Sequence, residues 1–269
     1  MGRVEGKVAF ITGAARGQGR AHAVRLAEEG ADIIALDACG PVAEVTYPPA
    51  TPEDLAETVE LVKGVGRRIV AHQADVRDFA AVEAACRTGA DQLGGIHIVV
   101  ANAGISNWNR FWEMSQDQWR TMIDINLTGV WHTLKAAAPI MIDQAQGGSM
   151  ILVSSVGGLK ALPGSAHYVA AKHGVVGLCR TAAVELGPYS IRVNSIHPWG
   201  VDTPMGEHAR LEQLIERYPT YAGSYGSILP SPAVALPADI AEAVLWLASE
   251  ESRIVTGAQI PLDMGATKV

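Results

Sequence analysis

The sequence is poor in several things. Of its 269 residues only three are cysteine and three phenylalanine, and aromatics make up 6%. Cys39, Cys86 and Cys179 are odd in number, widely spaced and free of any C-x-x-C pair, so a disulfide framework is excluded and free thiols in a reducing compartment are expected. No apolar run approaches the ~18–20 residues of a membrane span. The opening from Met1 to Gly6 has no basic stretch leading into a long apolar one, which argues against a secretory signal, and Gly6 stands where a myristoylation signal needs Ser or Thr. The expectation is a cytoplasmic protein with no membrane partner. Clustered positive charge is also missing. With a net charge of −7, nucleic acid is not an expected partner, and the pair Arg67-Arg68 reads as a solvated helix end. The eight histidines are scattered without zinc-like spacing, so no metal is expected.

What remains is 48% hydrophobic and 18% charged, enough to bury a core and too apolar for disorder. Short β-rich runs alternate with longer helix-like stretches. Strands are predicted at Val8–Thr12, Asp32–Leu36, Arg68–Gln73, Ile96–Asn102, Ser149–Ser154, Arg192–His197 and Gln259–Leu262. Helices are predicted at about 17–30, 52–65, 78–93, 115–144, 165–187 and 238–248. Most strands are nearly continuous apolar runs, as in a parallel sheet covered on both faces. The pattern implies a single doubly wound α/β domain over residues 1–269, with a mostly seven-stranded parallel sheet. Two stretches break the rhythm. Residues 38–51, with Pro41, Pro48 and Pro49, read as a surface insertion. Residues 200–236, rich in Gly, Pro, Tyr and Ser, read as a lid over a ligand or as a plain connection.

The first strand runs into Gly13-Ala14-Ala15-Arg16-Gly17-Gln18-Gly19 and then a helix. Glycines there permit a tight turn, and the helix start offers free N–H groups and a positive dipole end to a pyrophosphate. Asp37 closes the second strand, where a carboxylate can accept from both ribose hydroxyls of an adenosine and repel a 2′-phosphate. That favours NAD over NADP. Arg16 argues the other way, since a loop cation can pair with the extra phosphate.

The loop spacing is G-x-x-x-G-x-G. Downstream stand Asn102-Ala103-Gly104 at the fourth strand's end, Ser154-Ser155 after the fifth, and Tyr168-Val169-Ala170-Ala171-Lys172 on a helix. Taken together, in this order and over essentially the whole chain, these resemble the short-chain dehydrogenase/reductase family, which implies a Rossmann fold and hydride transfer to or from NAD. Tyr168 and Lys172, four apart, share a helix face. A neighbouring ammonium and the charge of oxidised nicotinamide are expected to favour the phenolate and lower the tyrosine pKa. Ser155 would hold the substrate oxygen. The resemblance implies a catalytic tetrad of Asn126, Ser155, Tyr168 and Lys172, with Asn126 supporting a water near the lysine. It also implies cofactor contacts from Gly13, Arg16, Gly17, Gln18 and Gly19, from Asp37, and from Asp75 and Val76 beside the adenine. Asn102, Ala103 and Gly104 would lie along the cofactor, Tyr168 and Lys172 at the nicotinamide ribose, and Pro198, Val201 and Thr203 at the carboxamide. After Pro198 the family usually has Gly, whereas this chain has Trp199, which either walls the substrate pocket or packs against the lid.

The insertion and the opening G-R-V-E-G-K-V-A-F-I-T-G-A-A-R-G-Q-G-R resemble a narrower group, the carveol-dehydrogenase-like, mycofactocin-associated members. That resemblance implies NAD that stays bound and is re-oxidised by a redox partner, with residues 38–51 covering its adenosine end. The substrate implied is a small apolar secondary alcohol or its ketone, walled by Ile105, Trp108, Trp112, Ser155, Val156, Leu162, Trp199 and Met205. A reductase of steroid-like or acyl-type ketones, and a non-catalytic nucleotide-binding regulator on the same fold, are the alternatives. Family members commonly form homotetramers through the helices at 115–144 and 165–187. Trp131, Leu134, Val176, Leu178 and Val184 there would serve an interface or an ordinary core equally well.

Overall fold

The computed structural model describes residues 2–206 and 209–269. Seven strands form one sheet in the order β3-β2-β1-β4-β5-β6-β7, every pair parallel. They are β1 (Val8–Thr12), β2 (Asp32–Asp37), β3 (Ile69–Gln73), β4 (Ile98–Ala101), β5 (Gly148–Val153), β6 (Ile191–Pro198) and β7 (Gln259–Leu262). The helices are α1 (Gly17–Glu28), α2 (Pro52–Gly64), α3 (Phe79–Leu93), α4 (Gln116–Ile123), α5 (Gly129–Gln144), α6 (Ala166–Leu186), α7 (Ala209–Arg217) and α8 (Pro237–Ala248). The predicted α/β class and seven parallel strands hold, with boundaries moved by a residue or two at most strands.

Strand alternation divides the core in two. On β1, Val8 and Phe10 face one apolar layer, while Ala9 and Ile11 face the other. β2 does the same with Ile34 and Leu36 against Ile33 and Ala35. Helices α3, α5 and α6 cover the first layer, and α1, α2 and α8 the second. Both faces of the central strands are therefore dry, which is why they read as unbroken apolar runs. The winding reverses between β1 and β4, and a crevice opens at the carboxyl ends of these two strands.

Three local readings change. The helix expected over 115–144 is interrupted by a π turn, Asp124–Thr128, that joins α4 to α5. Arg67 and Arg68 are not a solvated helix end. Their guanidinium groups reach the buried Asp32 carboxylate at 3.0 and 2.6 Å, bracing the start of β2 against the strand beside it. The segment 200–236 contains α7 and two 3-10 turns, Pro204–Gly206 and Pro219–Tyr225, rather than an irregular run. Residues 207 and 208 of that segment lie outside the described residues. Cys39, Cys86 and Cys179 are buried free thiols, as expected. Among the described residues no helix is long and apolar enough to cross a membrane, and no cluster of His, Cys, Asp or Glu is arranged to hold a metal.

Candidate active site

One long cleft runs across the crevice. Its walls include Gly13, Arg16, Gly17, Gln18 and Gly19, then Asp37, Asp75, Val76, Asn102, Ala103 and Gly104, and at the far end Ile105, Tyr168, Lys172, Thr203 and Met205. Residues from six separate stretches of sequence thus meet in the place the sequence assigned to a dinucleotide.

At the glycine end the backbone is kept bare. A Cβ on Gly19 would run into the Gly13 carbonyl, and one on Gly13 (φ +69°) would come within 2.8 Å of Ala103 Cα. Helices α2, α3 and α4 start with capping side chains from Thr51, Asp78 and Ser115. By contrast, α1 begins at Arg16 with no side-chain cap, so its first N–H groups face the cleft without a protein side chain to satisfy them. Gln18 Oε1 is also buried without a partner. An uncapped helix start beside a carboxylate at a strand end fits a diphosphate and its ribose. Asp37 Oδ2 accepts from Ala15 N–H and Oδ1 from Cys39 N–H, each at 3.0 Å, which fixes the carboxylate while leaving lone pairs for ribose hydroxyls.

Arg16 does not stand free for an extra phosphate. Its guanidinium donates to the Pro48 carbonyl and so ties down the insertion. The Asp75 carboxylate is paired with Arg77 at 2.6 Å. Burial alone would raise the Asp75 pKa, but the hydrogen bonds and charge of Arg77 pull it below its ordinary value.

At the other end α6 sets Tyr168 and the buried Lys172 on one face, with Lys172 Nζ 5.6 Å from the Tyr168 ring centre. Lys172 Nζ donates to the Val153 carbonyl at 2.8 Å. Burial pushes the Lys172 ammonium down to about 8. The expected lowering of the tyrosine is not what the protein alone produces. Burial raises the Tyr168 phenol above its ordinary value, and the Ser155 hydroxyl hydrogen-bonded to it pulls only partly back. Desolvation of the anion outweighs the Ser155 donor, even with the Lys172 nitrogen 5.6 Å from the ring centre. Ser155 is itself fixed: its Oγ accepts from Gly157 N–H at 3.1 Å, and its carbonyl meets His197 Nδ1 at 2.7 Å.

Asn126 lies in the π turn, fully buried. Its amide brackets Ile105, accepting from the Ile105 N–H and donating to the Ile105 carbonyl, both at 2.8 Å. A Cβ on Gly104 would lie 3.3 Å from Asn126 Oδ1 and 3.6 Å from Lys172 Nζ. The asparagine and the lysine therefore face each other across bare backbone.

The substrate wall is redrawn. Trp112 is not part of it. Its ring is 59% exposed, edge-on to Phe111 and under the Arg110 guanidinium. Trp199 packs against the 200–236 segment, stacked on Tyr225 at 6.1 Å, the second of the two expectations. Val156, Leu162 and Trp199 join Val169, Tyr225 and Ala266 in a small apolar cluster rather than lining the cleft itself. Trp108 meets Tyr225 edge-on at 5.8 Å. Pro198 and Val201 are buried and do not line the cleft, whereas Thr203 does, its Oγ1 donating to the Val201 carbonyl at 3.4 Å. Tyr47 was not anticipated. It swings from the insertion into the cleft, its oxygen accepting from Ser106 N–H at 3.3 Å. Nothing in the sequence marks Tyr47 except its place in a proline-rich stretch after Asp37.

A family model described as enoyl-(acyl carrier protein) reductase matches residues 13–267. The chain is 46% identical over 276 residues to a (−)-trans-carveol dehydrogenase of Rhodococcus erythropolis, covering 99% of each. The chain belongs to the short-chain dehydrogenase/reductase family. Two solved structures superpose over the full length of both chains. One is a carveol dehydrogenase from Mycobacterium avium in complex with NAD, 52% identical with a TM-score of 0.95. The other is a short-chain dehydrogenase from Mycobacterium paratuberculosis bound to NAD, 50% identical with a TM-score of 0.98. The resemblance drawn from four short motifs, the insertion and the opening residues thus holds at the level of the family and its carveol-dehydrogenase-like relatives.

Proposed function

We propose that the protein interconverts a small alicyclic secondary alcohol, of the terpene type such as carveol, and its ketone. It is an NAD-dependent alcohol dehydrogenase of its family. NAD, when bound, supplies the hydride acceptor. Tyr168 and Lys172 stand at one end of the same cleft whose other end is an uncapped helix start, and this single observation carries the reading.

The geometry supports the following roles. The Tyr168 oxygen removes the proton from the substrate hydroxyl, or returns it in the reverse direction. The Ser155 hydroxyl, already bonded to that phenol, orients the substrate oxygen beside it. Lys172 brings a cation close to the phenol and offers its remaining N–H bonds to a ribose hydroxyl. Asn126 fixes the Ile105 backbone and so the turn that would lie along a bound cofactor. Burial raises the phenol's pKa, and the positive charge that oxidised cofactor would bring to the cleft would lower it. Ile105 and Met205 in the cleft give the substrate end an apolar lining suited to a hydrocarbon ring.

Residues 38–51 cover the cleft from the adenosine end to Tyr47, with Pro41, Val42, Val45 and Pro49 in its lining. This supports slow cofactor exit and re-oxidation in place by a redox partner, as in mycofactocin-associated members. The exposed Trp131 and Val184 on α5 and α6 support a homotetramer, and the reduced thiols a cytoplasmic setting. Replacing Tyr168 with Phe tests the reaction: carveol turnover should fall by about a thousandfold, within the range of general acid–base catalysis, while NAD binding persists. Near-normal turnover would refute the role.

A further inference from the structure

Three consecutive residues after β4 hold three parts of the molecule together. Ile105 is bracketed by Asn126. Ser106 N–H donates to Tyr47. Asn107, buried, donates from Nδ2 to the Glu44 carbonyl at 3.1 Å, and its Oδ1 accepts from His167 Nε2. Glu44 adopts φ +69°, a strained conformation for a side chain of its kind, and this is the residue that presents its carbonyl to Asn107.

His167 completes the chain of contacts. It is fully buried in the first turn of α6, whose N-cap Ser165 makes no side-chain cap. Its Nδ1 instead accepts the backbone N–H of Tyr168 at 2.9 Å. The ring proton therefore sits on Nε2 and is given to Asn107. In this arrangement every donor meets an acceptor from the Glu44 carbonyl to the Tyr168 backbone. Neither Asn107 nor His167 lines the cleft.

We propose that Asn107 and His167 are positioning residues that couple the insertion to Tyr168, so that closing the cleft over the dinucleotide and seating the phenol are one event. The inference rests on the reading of residues 38–51 as a cover. To open, the insertion must break the bonds Glu44–Asn107, Tyr47–Ser106 and Arg16–Pro48. Loss of the first frees the Asn107 amide to turn, which draws its Oδ1 away from His167 Nε2 and loosens the cap on the turn that carries Tyr168. An open molecule would hold its phenol out of register, and reaction would be confined to the closed one.

The test uses the full-length protein loaded with NAD. Release of NAD into excess competing nucleotide, kcat and KM for carveol, and the pH dependence of kcat are measured for wild type, Asn107→Leu, His167→Phe and His167→Gln. Asn107→Leu and His167→Phe should each speed NAD release and lower kcat by about tenfold, the worth of one to two buried hydrogen bonds, with KM little changed. The pH limb belonging to the phenol should move in the same variants. His167→Gln, which keeps a donor toward Asn107 and an acceptor toward Tyr168, should restore most of both. If His167→Phe does not fold, Asn107→Ser carries the same expectation. Unchanged NAD release in Asn107→Leu and His167→Phe, with slow release in wild type, overturns the coupling and spares the cover. Rapid release from wild type overturns both.

Discussion

At the nucleotide end of the cleft the functional groups come from strand ends and a helix start, whereas at the substrate end the walls around the α6 residues Tyr168 and Lys172 come from loops that lean on one another. Gly13, Asp37 and Asn102 follow or close β1, β2 and β4, and their places are fixed by a sheet whose core side chains are almost wholly buried. Tyr47, Ile105, Trp199 and Tyr225 are held by hydrogen bonds and ring contacts between segments remote in sequence. The sheet makes the first end nearly independent of what binds. The loops make the second end adjustable, and substrate choice in such a fold is expected to reside there.

The sharpest way to break that contrast is at the rigid end. Gly19→Ala places a methyl group against the Gly13 carbonyl, and the turn must shift to admit it. Overpacking of about 1–3 kcal/mol, taken from nucleotide binding, predicts an NAD affinity weaker by up to about a hundredfold in calorimetry. Asp37→Asn is gentler. It removes the charge while preserving shape, and NAD affinity should fall by about tenfold while the discrimination against NADP shrinks. A preference unchanged in side-by-side titrations would place specificity elsewhere.

Stability distinguishes the ends in another way. Burial pushes His22 down to about 3, and His167 and His197 down to about 4. These rings are neutral when folded and take up protons near pH 6.5 once unfolded, so the unfolded chain binds more protons as the solution is acidified. Stability is full above pH 6.5 and drains away as pH falls toward 4, which urea midpoints measured across that window should show. His22, on α1 beneath the glycine turn, has no partner for either ring nitrogen. His22→Leu is therefore expected to raise stability by about 1–2 kcal/mol at neutral pH, and by more at pH 5. The smallest effect belongs to Trp112. Trp112→Ala should leave kcat/KM for carveol within about twofold, as expected of a surface side chain away from the cleft. A large loss would return it to the substrate wall.

The nucleotide end was legible because its signals are local: a glycine spacing and a carboxylate at a strand end; at the other end only the Tyr and Lys one helical turn apart were equally local. The substrate end was not, because its contacts join segments dozens of residues apart. Trp112 and Trp199 looked alike as large rings near the site, yet one lies under Arg110 at the surface and the other against Tyr225. The short helix α7 escaped because it is only nine residues long and sits in a stretch rich in Gly and Pro, although Leu211, Leu214 and Ile215 recur at helical spacing. Arg67 and Arg68 misled for a related reason: their partner, Asp32, is supplied by another strand.

The widened turn between α4 and α5 has a consequence of its own. Met122, Asn126, Val130 and Leu134 all point inward, at successive intervals of four. On an evenly wound helix, three such intervals would drift about 120° around the axis. The extra residue absorbs the drift, so α4, Asn126 and α5 share one inward stripe. Deleting any single residue from Asp124–Thr128 would tidy the winding locally and rotate everything before it out of phase with everything after. Chain length in that stretch is thus held as tightly as the identity of the asparagine it carries.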